Sequence, residues 1–229
     1  MTSRIVVVFV AALSLAAATA AEQRPAIPNE GPTIKSFVPA GYELLEEHKG
    51  DFNGDATPDA VLAIGKQDET DPDASRPLLI LFGTDRSGFR IALRAEKAIP
   101  STSTGGAAAE DGFAGLKVRG NTLIIRRYGG STIREEDSYQ FRYQDRDWYL
   151  IGETHDVSTV ADFKMQDCPL ISAVQKAHCV GYKVETNWST RQQIVTVYLD
   201  DSDEGAVFHR SVQVKRPVRL ETFSPRMDD

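Results

Sequence analysis

The chain is poor in the residues and patterns that most catalysis uses. It has two cysteines and four histidines, and the histidines, His48, His155, His178 and His209, stand singly. There is no Gly-x-Ser-x-Gly elbow, no His-Glu-x-x-His pair and no phosphate-cradling glycine loop. The adjacent acids Glu135 and Glu136 would point to opposite faces of a strand, a poor arrangement for a glycosidase pair. The expectation is a protein that is not an enzyme. Basic residues are also short: 26 Lys and Arg stand against 33 Asp and Glu, a formal charge of −7. That balance disfavours nucleic acid and anionic membrane as partners, and leaves room for a basic protein to be steered in. Beyond the N-terminus, no apolar run reaches the roughly 18 residues a membrane helix needs.

What is present begins with an export signal. Arg4, the apolar run 5–18 and the small-residue end Ala18-Thr19-Ala20 read as a secretory signal peptide over 1–20, cleaved before Ala21. No cysteine follows that site, so a lipid anchor is not indicated, and the expected location is periplasmic or secreted. The remaining 209 residues (229 minus 20) carry a formal charge of −8, 25 basic against 33 acidic side chains, once Arg4 is gone. This length suits one domain with one sizeable core. Cys168 and Cys179, eleven positions apart, predict a disulfide in an exported chain. Closing so short a loop constrains the unfolded state by roughly 3 kcal/mol in the chain-entropy account.

After a lead-in over 21–36, rich in Pro and Gly and expected to be extended and flexible, short β-type runs follow one another. They lie at 42–45, 60–64, 78–82, 89–93, 115–118, 122–128, 138–143, 148–151, 182–186, 194–199 and 207–215. Turn residues separate nearly all of them, and the one helical candidate is 169–176. The pattern predicts an all-β antiparallel domain over 37–229. Two hairpins turning at Asp85-Arg86 and Asp145-Arg146 form a weak internal repeat, which suggests a small or incomplete β-propeller-like ring. Segment 100–112, small and polar, reads as a mobile loop.

The most informative segment is 51–59, Asp51-Phe52-Asn53-Gly54-Asp55-Ala56-Thr57-Pro58-Asp59. Asp51, Asn53, Asp55 and Asp59, with the Thr57 carbonyl, are oxygen donors at alternating positions of one tight loop, which suits calcium. An EF-hand would need Gly at position 6 and Glu at position 12, where this chain has Ala56 and Leu62. The run Ala60 to Ile64 places a strand after the loop. A loop of this kind entering a strand resembles the calcium loops of FG-GAP-type repeats, with Ala56 departing from the usual glycine and tightening the turn.

A second element is Arg127-Tyr128-Gly129-Gly130-Ser131-Thr132-Ile133-Arg134. Gly129-Gly130 allow a tight turn, which would present Tyr128 and Ser131 at a hairpin tip beside Arg127 and Arg134 as a protein-binding anchor. The order of calcium loop, strand ending in Tyr-Gly-Gly-Ser and aromatic hairpin 139–152 is similar to a group of bacterial envelope proteins. That group includes periplasmic immunity proteins that inhibit lysozyme-like effectors delivered by type IV secretion systems. The resemblance covers roughly 37–155. It implies an inhibitor of a cell-wall glycan hydrolase, with Tyr128 plugging the cleft and Gly129, Gly130, Ser131 and Arg134 around it. The same elements also suit a calcium-stabilised envelope binding or structural protein with no inhibitory role.

Overall fold

Alternating apolar residues build almost everything in the structure, a computed structural model that describes residues 25–67, 71–85, 87–160, 165, 168, 179–200, 205–213 and 217–225. Among these, one five-stranded antiparallel sheet contains β1 (Glu30–Gly31), β2 (Tyr42–Gly50), β3 (Asp59–Lys66), β4 (Leu78–Thr84) and β5 (Gly88–Ala95), in the order β1-β5-β4-β3-β2. A seven-stranded antiparallel sheet is a simple meander of β6 (Phe113–Arg119), β7 (Thr122–Gly130), β8 (Ile133–Gln144), β9 (Asp147–Thr159), β10 (Cys179–Asn187), β11 (Gln192–Leu199) and β12 (Ala206–Ser211). The domain is all-β and antiparallel, as expected, and each predicted run lies within or overlaps a strand. It is an incomplete arrangement: the meander β2 to β5 stands beside a second sheet of seven strands, and among the described residues neither sheet closes into a ring.

The sheets share one core. Val61, Ala63, Leu78 and Ile80 from the first meet Leu123, Ile125, Phe141, Trp148 and Leu150 from the second, with Leu220 and Phe223 added by the C-terminal segment. The aromatic hairpin is its centre: Trp148 meets Phe52 edge-on at 6.0 Å between ring centroids, and Tyr143 meets Phe82 at 5.6 Å. At the turn of that hairpin, Asp145 and Arg146 have φ of 52° and 65°, the two left-handed residues of a type I′ turn. The matching β4–β5 turn has Ser87 at φ 61°. On one side the sheets are stitched together, because Glu46 of β2 accepts the Leu116 N–H of β6 at 2.7 Å.

Two expectations need correction. The lead-in is not loose from Pro25 onward: Glu30 and Gly31 pair with Arg90 and Phe89 of β5, and a 3-10 turn at Ile34–Phe37 buries Phe37 completely. Ile27, Ile34 and Phe37 cover Ala60, Leu62, Leu79 and Leu81 on the outer face of the first sheet. Strands β3 and β4 are therefore buried on both faces, which explains their continuous apolar sequence. Segment 100–112 is not an unattached loop either. It forms a 3-10 turn at Thr102–Gly105 and is fastened by hydrogen bonds from Ser103 N to Pro72 O at 3.2 Å and from Ala108 N to Gly130 O at 2.9 Å. Its glycines and alanines let one backbone approach another closely.

Cys168 and Cys179 are disulfide-bonded and buried with Val195 and Val197 in a separate small cluster under β10 and β11. The helical candidate 169–176 and the signal peptide lie outside the described residues. Among the described residues no helix is long and apolar enough to cross a membrane.

Candidate functional sites: the acidic loop and the β7–β8 hairpin end

The loop 51–59 leads from β2 into β3 and closes on its own backbone. Asp51 accepts N–H groups from Gly54 at 2.7 Å, Asp55 at 3.2 Å and Ala56 at 3.0 Å. Asp55 accepts from Thr57 N at 2.8 Å and from Asn53 Nδ2 at 2.8 Å. Asp59 is fully buried and reaches both sides, accepting Phe52 N and Gly83 N at 2.9 Å each. Phe52 is the apolar staple: only 2 % exposed, it fixes the loop to Trp148 across the core. Loop and inter-sheet packing are thus one unit.

Left-handed backbone is needed at two loop positions, Gly54 with φ 80° and Ala56 with φ 64°. Alanine pays for that conformation where glycine does not. Ala56→Gly is expected to leave the fold intact and raise stability by up to about 1 kcal/mol, less the entropy the glycine adds to the unfolded chain. Urea unfolding of the two proteins checks it.

Asp51, Asn53, Asp55, Thr57 and Asp59 are gathered in one loop, as their spacing predicts. As placed, their carboxylates serve N–H groups, and among the described residues no group of three or more His, Cys, Asp or Glu side chains converges as a metal cage. The donor chemistry still fits a hard cation, being oxygen only, and each carboxylate oxygen has two lone pairs. Burial pushes the Asp59 carboxyl above its usual range against the hydrogen bonds from Gly83 and Phe52. A bound cation would relieve that strain on the ionised form. Asp55, on the open side, is held below its usual range by the Thr57 N–H and the Asn53 amide.

The second site differs from its sequence expectation. Tyr128 and Gly129 are not at a tip but inside β7, opposite Glu136 and Glu135 of β8. The turn is formed by Ser131 and Thr132, both exposed. Gly129 is needed for contact and not for a turn: a Cβ there would lie 2.2 Å from the Thr104 carbonyl oxygen. Gly130, at φ 104° and opposite Arg134, leads into the bend, where Ser131 N donates to Ile133 O at 2.8 Å. Tyr128 faces outward and is half-buried, beside the exposed Arg126–Glu136 pair at 2.6 Å. The structure therefore brings Tyr128, Ser131 and Arg134 to one end of the hairpin, and sets Gly129 beneath them against the 102–108 segment.

Arg127, expected at the surface, points inward and is 8 % exposed. Its Nη1 donates to Glu135 at 2.8 Å and Asp137 at 2.7 Å. The buried Asp137 also bonds His155 Nδ1 at 2.6 Å, and Tyr182 Oη lies 3.4 Å from His155 Nε2. Burial disfavours the charge on Asp137, but the hydrogen bonds and charges of His155 and Arg127 outweigh it, so its carboxyl is held below the usual 3.8. Burial likewise opposes the Arg127 charge, and Glu135 and Asp137 overcome it. Period-two spacing was the available signal for this network, since 135 and 137 share a face where 135 and 136 do not.

No family model matches the chain, and neither does any curated protein or solved structure.

Proposed function

We propose that this is an exported, calcium-stabilised β-domain that binds a partner protein with the β7–β8 hairpin end, and that the partner is a lysozyme-like cell-wall glycan hydrolase which it inhibits. The observation that carries the binding surface is its support. Exposed Ser131 and Thr132, half-buried Tyr128 and Arg134 stand on a backbone propped from below by segment 102–108, through Ala108 N to Gly130 O and the Thr104 contact with Gly129. Such an end loses little conformational entropy on docking, and Tyr and Arg are effective anchors when a partner covers them. The choice of hydrolase rests on the resemblance of 37–155 to immunity proteins, and the net acidic charge suits a basic enzyme.

Calcium has a structural role in this reading. Asp51, Asn53, Asp55, Asp59 and the Thr57 carbonyl would hold it, and its charge would offset that of the buried Asp59. Removing calcium with a chelator is expected to lower the melting temperature of the mature chain by several degrees, because a ligand bound only to the folded state must stabilise it. A shift below about 1 °C would remove calcium from the account. Partner binding is tested by size-exclusion chromatography of the mature chain with a lysozyme-like hydrolase. A one-to-one complex supports the reading, and separate elution at micromolar concentrations counts against it.

A further inference from the structure

The chain has four asparagines, and only Asn53 is followed by glycine; Asn29, Asn121 and Asn187 precede Glu30, Thr122 and Trp188. Glycine has no side chain to keep its backbone nitrogen away from a neighbouring carbonyl carbon. In Asn-Gly that nitrogen therefore reaches the side-chain amide most readily. The loop 51–59 acts on this pair at three atoms. The Asn53 side chain is folded back over the Gly54 peptide, because its Oδ1 accepts the Asp55 N–H at 2.9 Å. The same bond puts a donor on the oxygen that gains negative charge when the amide carbon is attacked. Asp51 Oδ1 accepts the Gly54 N–H at 2.7 Å, which sets a carboxylate base against the attacking nitrogen. Asn53 Nδ2, the nitrogen that would leave, donates to Asp55 Oδ2 at 2.8 Å. Gly54 is exposed, and where its side chain would stand there is nothing within 4 Å, so ring closure meets no obstacle and water reaches the product.

We propose that Asn53 is a self-modification site, at which the folded chain loses its side-chain amide as ammonia with Asp51 as the base. The Gly54 nitrogen bonds to Asn53 Cγ while its proton passes to Asp51. The Cγ–Nδ2 bond then breaks, that proton departs with Nδ2 as ammonia, and a five-membered succinimide remains. One water opens the ring and leaves aspartate or isoaspartate at position 53. One amide and one water are consumed, one carboxyl group and one ammonia are formed, and nothing is oxidised or reduced. Aspartate adds a negative charge to the oxygen donors of the loop, and isoaspartate lengthens its backbone by one carbon between Asp51 and the N–H groups it holds. The inference depends on neither the hydrolase nor the calcium reading.

The test is mass spectrometry of the mature chain incubated at neutral pH with a chelator, following the mass gained when an amide becomes a carboxyl and assigning it to its residue by fragmentation. Asn53 is expected to convert at least about tenfold faster than Asn121, an exposed asparagine in the turn between β6 and β7. Asp51→Asn, which keeps an acceptor for the Gly54 N–H but is no base, should slow conversion at Asn53 by about tenfold or more. In urea, where the loop is open, the two proteins should react at equal rates, so that a difference confined to the folded state belongs to the placed carboxylate. Two results would overturn the inference: conversion of Asn53 no faster than that of Asn121, or equal rates for folded wild type and folded Asp51→Asn. Added calcium reads the proposed cation site separately. Ligation by Asp51 and the Asn53 carbonyl would take the base from the nitrogen, so slowing supports that site, and an unchanged rate counts against the site and not against the deamidation.

Discussion

Asp137→Ala is expected to destabilise the domain by about 3 kcal/mol at neutral pH, because it leaves buried charge without its partner. The wild-type carboxylate is 3 % exposed and binds Arg127 at 2.7 Å and His155 at 2.6 Å. Without it Arg127 keeps only Glu135, at 2.8 Å, so the loss sits at the low end of the range for breaking a buried pair. The effect should depend on pH in a definite direction. The folded-state carboxyl is held below the unfolded value near 3.8, so its contribution is fully present above that value and is lost as the pH falls through the folded one. Urea unfolding at pH 7 and at a series of pH values below 3.8 should therefore show a gap between wild type and variant that is largest at neutral pH and narrows progressively as the pH falls. A gap that stays constant would mean that Asp137 acts through packing and not through charge.

Phe141→Ala should cost about 3–5 kcal/mol, the usual range for emptying a buried aromatic site. Phe141 is fully buried and sits beside the β8 bulge, where the register with β9 shifts. Its ring meets Phe223 at 4.9 Å and 70°, and Tyr139 meets the same ring at 4.8 Å. Truncation removes the seat of Phe223 as well as core volume, so the segment from Leu220 to Pro225 should loosen with it. Urea unfolding reads the first effect, and faster proteolytic cleavage near residues 220–225 reads the second. Unchanged cleavage would show that the C-terminal segment is held without Phe141.

The strand sequence was legible because period-two alternation and turn residues mark each run independently of its neighbours. Long-range partners were not. β1 is two residues beside prolines and is a strand only because β5 offers it an edge. Segment 100–112 looked mobile because it has no apolar anchor, yet backbone groups of Pro72 and Gly130 hold it. Gly129-Gly130 read as a turn because glycine permits one, whereas Gly129 is required by the Thr104 carbonyl behind it. Arg127 looked exposed because its acidic partners lie eight and ten positions away on the next strand. In the acidic loop, the turn and the strand that follows it were legible because both are local: 51–59 leads directly into β3, as the run from Ala60 to Ile64 suggests.

Inhibition measured against surface variants tests the central claim most directly: clearing of a bacterial cell-wall suspension by a lysozyme-like hydrolase, titrated with the mature chain. The account predicts that wild type inhibits, and that Val207→Ser, changed on the exposed β12, inhibits equally. Tyr128→Ala and Arg134→Ala should each need about tenfold more protein for the same effect, at unchanged melting temperature. Equal inhibition by all four proteins would place the docking surface elsewhere, and clearing unaffected by any of them would contradict the inhibitor assignment itself.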